Sequence, residues 1–148
     1  GAGSFSMQQY GGYSRFTVKS KGSGWVGGGL VRQNMSKFFD LTGVKKMTFK
    51  IRGKVNTKAL CLAVQVSQNE IYPRKNSLYN AGYTSLSETD WTSVTFDVSG
   101  AEPKNVINVF MLIFATDWHG NFAIGDWFEI KDLEWTDDAG NSIKIKYR

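Results

Sequence analysis

Cysteine is almost missing from this chain: Cys61 is the only one in 148 residues. No intramolecular disulfide is available, and the redox compartment cannot be read from cysteine usage. The surrounding "ALCLAVQV" marks the thiol as a small buried hydrophobe rather than a reactive group. Histidine is equally scarce. His119 stands alone, which excludes a histidine-based zinc cluster and leaves no Ser-His-acid triad to assemble. In the polar loop "TDWHGN" it is expected to be solvated. No apolar stretch approaches the roughly 18 residues that span a bilayer, and no basic, apolar, small-residue leader precedes the fold. A membrane partner is therefore not expected.

What the chain does hold is aromatic side chains (14%) and 16 glycines, against only 2 prolines. Aromatic and β-branched residues fit a pleated surface, and glycine supplies the turns between short strands. A hydrophobic content of 41% with 21% charge suits one globular domain with a sizeable core. The formal charge is +5 and the pI about 9.3, which would fit a polyanionic partner. The lysines are scattered, however, along alternating strand positions (Lys45, Lys46, Lys50, Lys54, Lys58, Lys144, Lys146). That is the pattern of solubilising and edge-protecting charge.

Period-2 alternation recurs along the chain with little helical competition. "SRFTVKS" puts Phe16 and Val18 on one side; "GWVGGGLVRQ" follows a tight glycine turn; "KMTFKIR" alternates Met47, Phe49 and Ile51 with Thr48, Lys50 and Arg52. "ALCLAVQVS" and "VINVFMLIFAT" are continuous apolar runs of strand length, as expected of strands covered on both faces. "TSVTFDVS", "FEIKDLEW" and "SIKIKYR" complete about eight predicted strands. Turns fall at Gly22 to Gly24, Thr42-Gly43, Gly100, Gly120-Asn121 and Ala139 to Asn141. The fold class expected is all-β, a two-sheet antiparallel β-sandwich of jelly-roll type. Residues 13–148 are assigned to this single domain, and residues 1–12 to a linker or expression remnant leading into it. Two segments, 68–83 and 116–127, exceed hairpin length and combine aromatic with polar residues, as binding loops do.

The order "SGWVGGG", "FDLTGVKKMTFKIRGK", "LCLAVQV", "DWTSVTFDVS", "NVFMLIF" and "WFEIKDLEW" resembles the β-sandwich carbohydrate-binding modules that accompany plant cell-wall hydrolases, for example families 4, 11, 16 and 22. The likeness spans residues 13–135 and rests on the order and spacing of its pieces. It implies a secreted or cell-surface, monomeric, non-catalytic module. Such a module binds a single glycan chain in a concave cleft and is covalently linked to a hydrolase in its parent chain. The ligand it implies is a β-1,4-linked wall polymer such as xylan, xyloglucan or mixed-linkage β-glucan. The basic balance leaves room for uronate-bearing chains, to which Lys50, Arg52 or Arg74 would offer charge-assisted bonds.

On this resemblance Trp25, set among glycines, corresponds to a ligand platform, as does a tyrosine of the "EIYPRKN" region, Tyr72 or Tyr79. Trp118 lies in a polar loop and is a further platform candidate. Gln65 and Asn108 interrupt strands that otherwise read as covered, where an unpaired amide is costly. They are expected either to form a polar floor for a ligand or to bond a neighbouring strand. Trp91 and Trp135 are expected to be structural, and Trp127 is left undecided. Jelly-roll modules often hold a structural calcium through oxygen ligands. Asp132 or the Asp137-Asp138 pair would be its ligands here, although no D-x-[DN]-x-[DN]-G loop is present.

Two other classes compete. "EIKDLE" resembles the E-I-D-x-x-E motif of jelly-roll β-glucanases, with a bulge setting Glu129, Asp132 and Glu134 on one face. The central acid of that motif is Lys131 here, and a cation there opposes the raised pKa that a general acid needs. A basic β-barrel nucleic-acid binder would need a contiguous basic groove and an RNP-like strand, and no such strand is present.

Overall fold

In the computed structural model, which describes residues 1–118 and 120–148, the expected alternation becomes two facing sheets. His119 lies outside the described residues, as does the solvation expected of it. The larger sheet, A, contains β1 (Ala2–Tyr10), β2 (Tyr13–Gly22), β5 (Lys46–Lys54), β8 (Thr92–Asp97) and β10 (Trp127–Thr136), in the order β1-β2-β10-β5-β8. Sheet B contains β3 (Trp25–Val31), β6 (Leu60–Ser67), β7 (Glu70–Tyr72) and β9 (Asn108–Ala115), in the order β3-β9-β6-β7. A short ribbon of β4 (Phe39–Asp40) and β11 (Lys146–Tyr147), one α-helical turn, α1 (Ser77–Asn80), and two 3-10 turns, Thr57–Ala59 and Thr116–Trp118, complete the description. All paired strands run antiparallel. The architecture is the expected all-β, two-sheet jelly roll.

The core lies between the sheets. Met47, Phe49 and Ile51 face inward and are buried, with Val94 and Phe96 from β8 and Phe128 and Ile130 from β10. Sheet B meets them with Leu60, Leu62, Val64, Leu112 and Phe114. Phe128 is at the centre, its ring stacked on Phe16 at 5.1 Å and tilted against Phe114 at 5.8 Å. β6 and β9 are covered on both faces, as their unbroken apolar runs require: a second cluster of Cys61, Ala63, Met111, Ala115 and Trp118 closes their outer side. Cys61 is a buried thiol beside the Ser77 hydroxyl, and burial raises its pKa.

Two features depart from the sequence reading, and a third, the bulge in β10, follows it. Residues 2–10, expected to be linker, are strand β1, paired along most of β2. Phe5 reaches from β1 into the core and comes within 2.9 Å of where a Gly28 side chain would begin. The aromatic ring thus occupies the space that the glycine leaves. In β10 the ladder shifts between Lys131 and Glu134, with Asp132 at φ 56, a left-handed conformation that aspartate tolerates better than most residues. This is the bulge implied by "FEIKDLEW". The run "SIKIKYR" is mostly irregular, with Lys146 and Tyr147 in β11 and Ser142 in an isolated bridge to Thr136, although Ile143 and Ile145 still pack on the core.

Three aspartates close turns. Asp40 accepts from the Thr42 hydroxyl and amide and from Arg148; Asp97 accepts from the Ser99 hydroxyl and amide; Asp137 accepts from the Asn141 amide. These bonds hold all three carboxyls below the usual carboxylate range. A depressed folded-state pKa contributes stability above the unfolded value and loses it as pH falls. The unfolding midpoint should therefore be level from neutral pH down to about pH 4 and decline below that, as thermal unfolding followed by circular dichroism would register. Phe128→Ala, which removes the ring shared by both sheets, should cost about 3–5 kcal/mol in urea unfolding.

Candidate functional site

Because side chains alternate, each sheet also has an outer face, and the two outer faces differ in chemistry. On sheet B, register sets Gly27 beside Ile113 and Cys61, and Gly29 beside Met111 and Ala63. Small residues therefore floor the middle of the sheet. Trp25 stands at one side, 46% exposed, its ring leaning so close to Gly27 that a β-carbon there would touch it at 3.7 Å. No cation lies over this ring among the described residues. Two adjoining depressions meet at Trp25 and Ile113. One, of about 470 Å³, continues over Ala115, Ile71, Lys75 and Trp118. The other, of about 510 Å³, runs past Gly27 to Gly29, Met111, Gln65, Gln68 and Asn108.

The two amides at the polar end bond each other, Asn108 Nδ2 donating to Gln65 Oε1 across β9 and β6. Both alternatives for this pair are thus realised together: a cross-strand bond and a polar lining to the depression. Asn108 is only 7% exposed, and its Oδ1 has no hydrogen-bond partner among the described residues. An orphaned buried acceptor costs about 1–3 kcal/mol.

Of the residues singled out from sequence, Trp25, Trp118, Gln65 and Asn108 therefore share one face. Trp118 is not a free platform: it is only 6% exposed, because the turn after β9 folds its ring onto the second cluster. Its carbonyl accepts from Asn76 Nδ2 at 2.9 Å, and Lys75 Nζ lies 6.0 Å from its ring. Tyr72 packs on the main core, and with Arg74 it lines a third hollow of about 350 Å³ beside β7, which adjoins the Trp118 depression at Ile71 and Lys75. Tyr79, on α1 with Lys58 Nζ 5.3 Å from its ring, lines neither depression. Asp132 faces Lys50 at 3.7 Å. Among the described residues no three His, Cys, Asp or Glu side chains gather as metal ligands.

Sheet A's outer face carries aromatic residues that sequence reasoning missed or left open. Glu129, 2% exposed, lies between Arg15 and Arg52 on the flanking strands, and each Nε donates to one carboxylate oxygen, at 2.9 and 2.6 Å. The Arg15 guanidinium stacks 4.1 Å from the Trp127 ring, and that of Arg52 4.2 Å from Trp91. Lys131 Nζ also lies over Trp91, at 4.4 Å, and Tyr13 meets that ring edge-on. Trp91, expected to be structural, is thus an outer-face residue. Trp135 is structural: it packs on the core and donates its indole N–H to the Val109 carbonyl.

No protein-family description and no curated protein matches the chain. Among solved structures it is similar to CBM29-2, carrying a tyrosine-to-alanine substitution, from work on ligand recognition by family 29 carbohydrate-binding modules. The two are 16% identical, with a TM-score of 0.45 over 87% of this chain and 74% of that one.

With both carboxylate oxygens taken by guanidinium groups, Glu129→Ala would leave two arginines without their shared partner. Urea unfolding should show a loss of about 3 kcal/mol, at the low end for a broken buried pair because both arginines reach solvent.

Proposed function

We propose that this domain is a non-catalytic carbohydrate-binding module that holds a single β-glycan chain across the outer face of sheet B. The observation that carries the reading is the pairing, in one depression, of the cation-free, half-exposed Trp25 ring with the amide side chains of Gln65, Gln68 and Asn108. A pyranose ring has an apolar C–H face and a rim of hydroxyls, so it needs an aromatic surface and amide groups close together. Trp25 supplies the first; Gln65, Gln68 and Asn108 supply the second.

Burying 150–250 Å² against one aromatic ring sets an upper bound of roughly 4–6 kcal/mol, much of it offset by ordering a flexible chain. With Trp118 sunk into the sheet and one ring left open, binding is moderate. The polymer is a β-1,4-linked wall glycan such as xylan, xyloglucan or mixed-linkage β-glucan. The module works outside the cell as a monomer attached to a hydrolase that it directs to that polymer. Catalysis is disfavoured by the state of the acids that would perform it. Glu129 has both oxygens engaged by arginines and Asp132 pairs with Lys50, so of the three acids in "EIKDLE" only Glu134 is left without a cation partner among the described residues, and that is not the pair acid-base work needs.

Affinity electrophoresis in native gels containing each neutral polymer, at low and high salt, tests this. Retardation by one polymer at both salts is expected. Trp25→Ala should weaken it by more than about 1.5 kcal/mol with unchanged thermal unfolding. A Trp25→Ala variant that migrates like the parent would remove the site from sheet B.

A further inference from the structure

We infer that the outer face of sheet A is a second binding surface, for an acidic, uronate-bearing glycan rather than a neutral one. Its two tryptophan rings are already occupied by cations: Arg15 on Trp127, with Arg52 and Lys131 on Trp91. A neutral sugar would have to displace them, whereas a carboxylate needs them where they are. The rings and Glu129 act as a jig. Each arginine spends its Nε on Glu129, and Arg52 also gives Nη1 to the Thr89 carbonyl. Among the described residues, both Nη groups of Arg15, Nη2 of Arg52 and the Lys131 ammonium have no protein acceptor. Two guanidinium planes fixed by stacking, with N–H groups to spare, are preorganised for a carboxylate, since little side-chain freedom remains to be lost.

Charge supports the same occupant. Register sets Lys54 beside Trp127 and Lys50 beside Lys131, so the centre of this face holds Arg15, Arg52, Lys50, Lys54 and Lys131. The carboxylates on this face are Glu129, engaged by two arginines, Asp132, engaged by Lys50, and Glu134, which lines a hollow with Lys50 and Asp132, so the cations stay in excess. The surplus positive charge is spread over neighbouring strands rather than along one, which suits a polymer with a charge on every sugar.

Affinity electrophoresis with de-esterified polygalacturonate tests the proposal, with fully methyl-esterified polymer and a single-stranded oligonucleotide as controls. The expected result is retardation by the acid form alone, weakening with salt. A loss of at least tenfold is expected in both Lys131→Gln and Arg15→Gln. Lys131 makes no salt bridge among the described residues, so its variant should fold even if loss of Arg15 disturbs Glu129. Trp25→Ala should leave this retardation intact, which separates it from the neutral-glycan site. The proposal is overturned if the acid form is not retarded, if the esterified polymer is retarded equally, or if the oligonucleotide is retarded as strongly. Loss of polygalacturonate binding in Trp25→Ala would also overturn it.

Discussion

The two central strands of sheet B, β6 and β9, have apolar residues on both faces and must be covered twice. Their inner side chains meet sheet A to make the core. The outer ones would face water if nothing folded over them, so the turn after β9 lays Trp118 across Cys61 and Ala63. That cover is partial. It seals one end of the face and leaves a shallow apolar floor at the other, where Trp25 stands beside an amide pair. The candidate site is what remains of sheet B's outer surface once burial of its central strands has been satisfied.

Sheet A solves the same geometric problem differently. Its outer positions are polar, so they need no cover, and the one carboxylate placed at its centre is neutralised laterally by the strands on either side. Cation stacking then draws tryptophans flat onto the sheet. The molecule thus has one outer face whose exposed ring is bare and another whose rings are capped by positive charge, and the two chemistries are separated by the thickness of the core.

Much of this could be read from residue order. The inward set Met47, Phe49 and Ile51, the doubly covered strands and the β10 bulge all followed from period. Gln65 and Asn108 were visible as polar breaks in apolar runs. Trp91 was misread although the signal was there: it shares parity with Ser93, Thr95 and Asp97, which face outward, and not with Val94 and Phe96. Trp127 likewise shares parity with Glu129 and Lys131. Parity says nothing about rings on loops, so the burial of Trp118, the packing of Tyr72 and the remoteness of Tyr79 depended on where the chain turned next. The strand at residues 2–10 was missed because Phe5 and Met7 alone carry its alternation.

That first strand bears on how the domain can be handled. Phe5 fills the hollow beneath Gly28, on the underside of the same glycine-rich strand that presents Trp25 above. A fusion or truncation that began at Tyr13 would keep Trp25, and Trp91 and Trp127 with the cations around them, and yet remove the ring on which the Trp25 strand rests. The platform's rigidity is therefore held from below by a segment remote from the ring itself, and β1 is part of the folding unit rather than a lead-in to it.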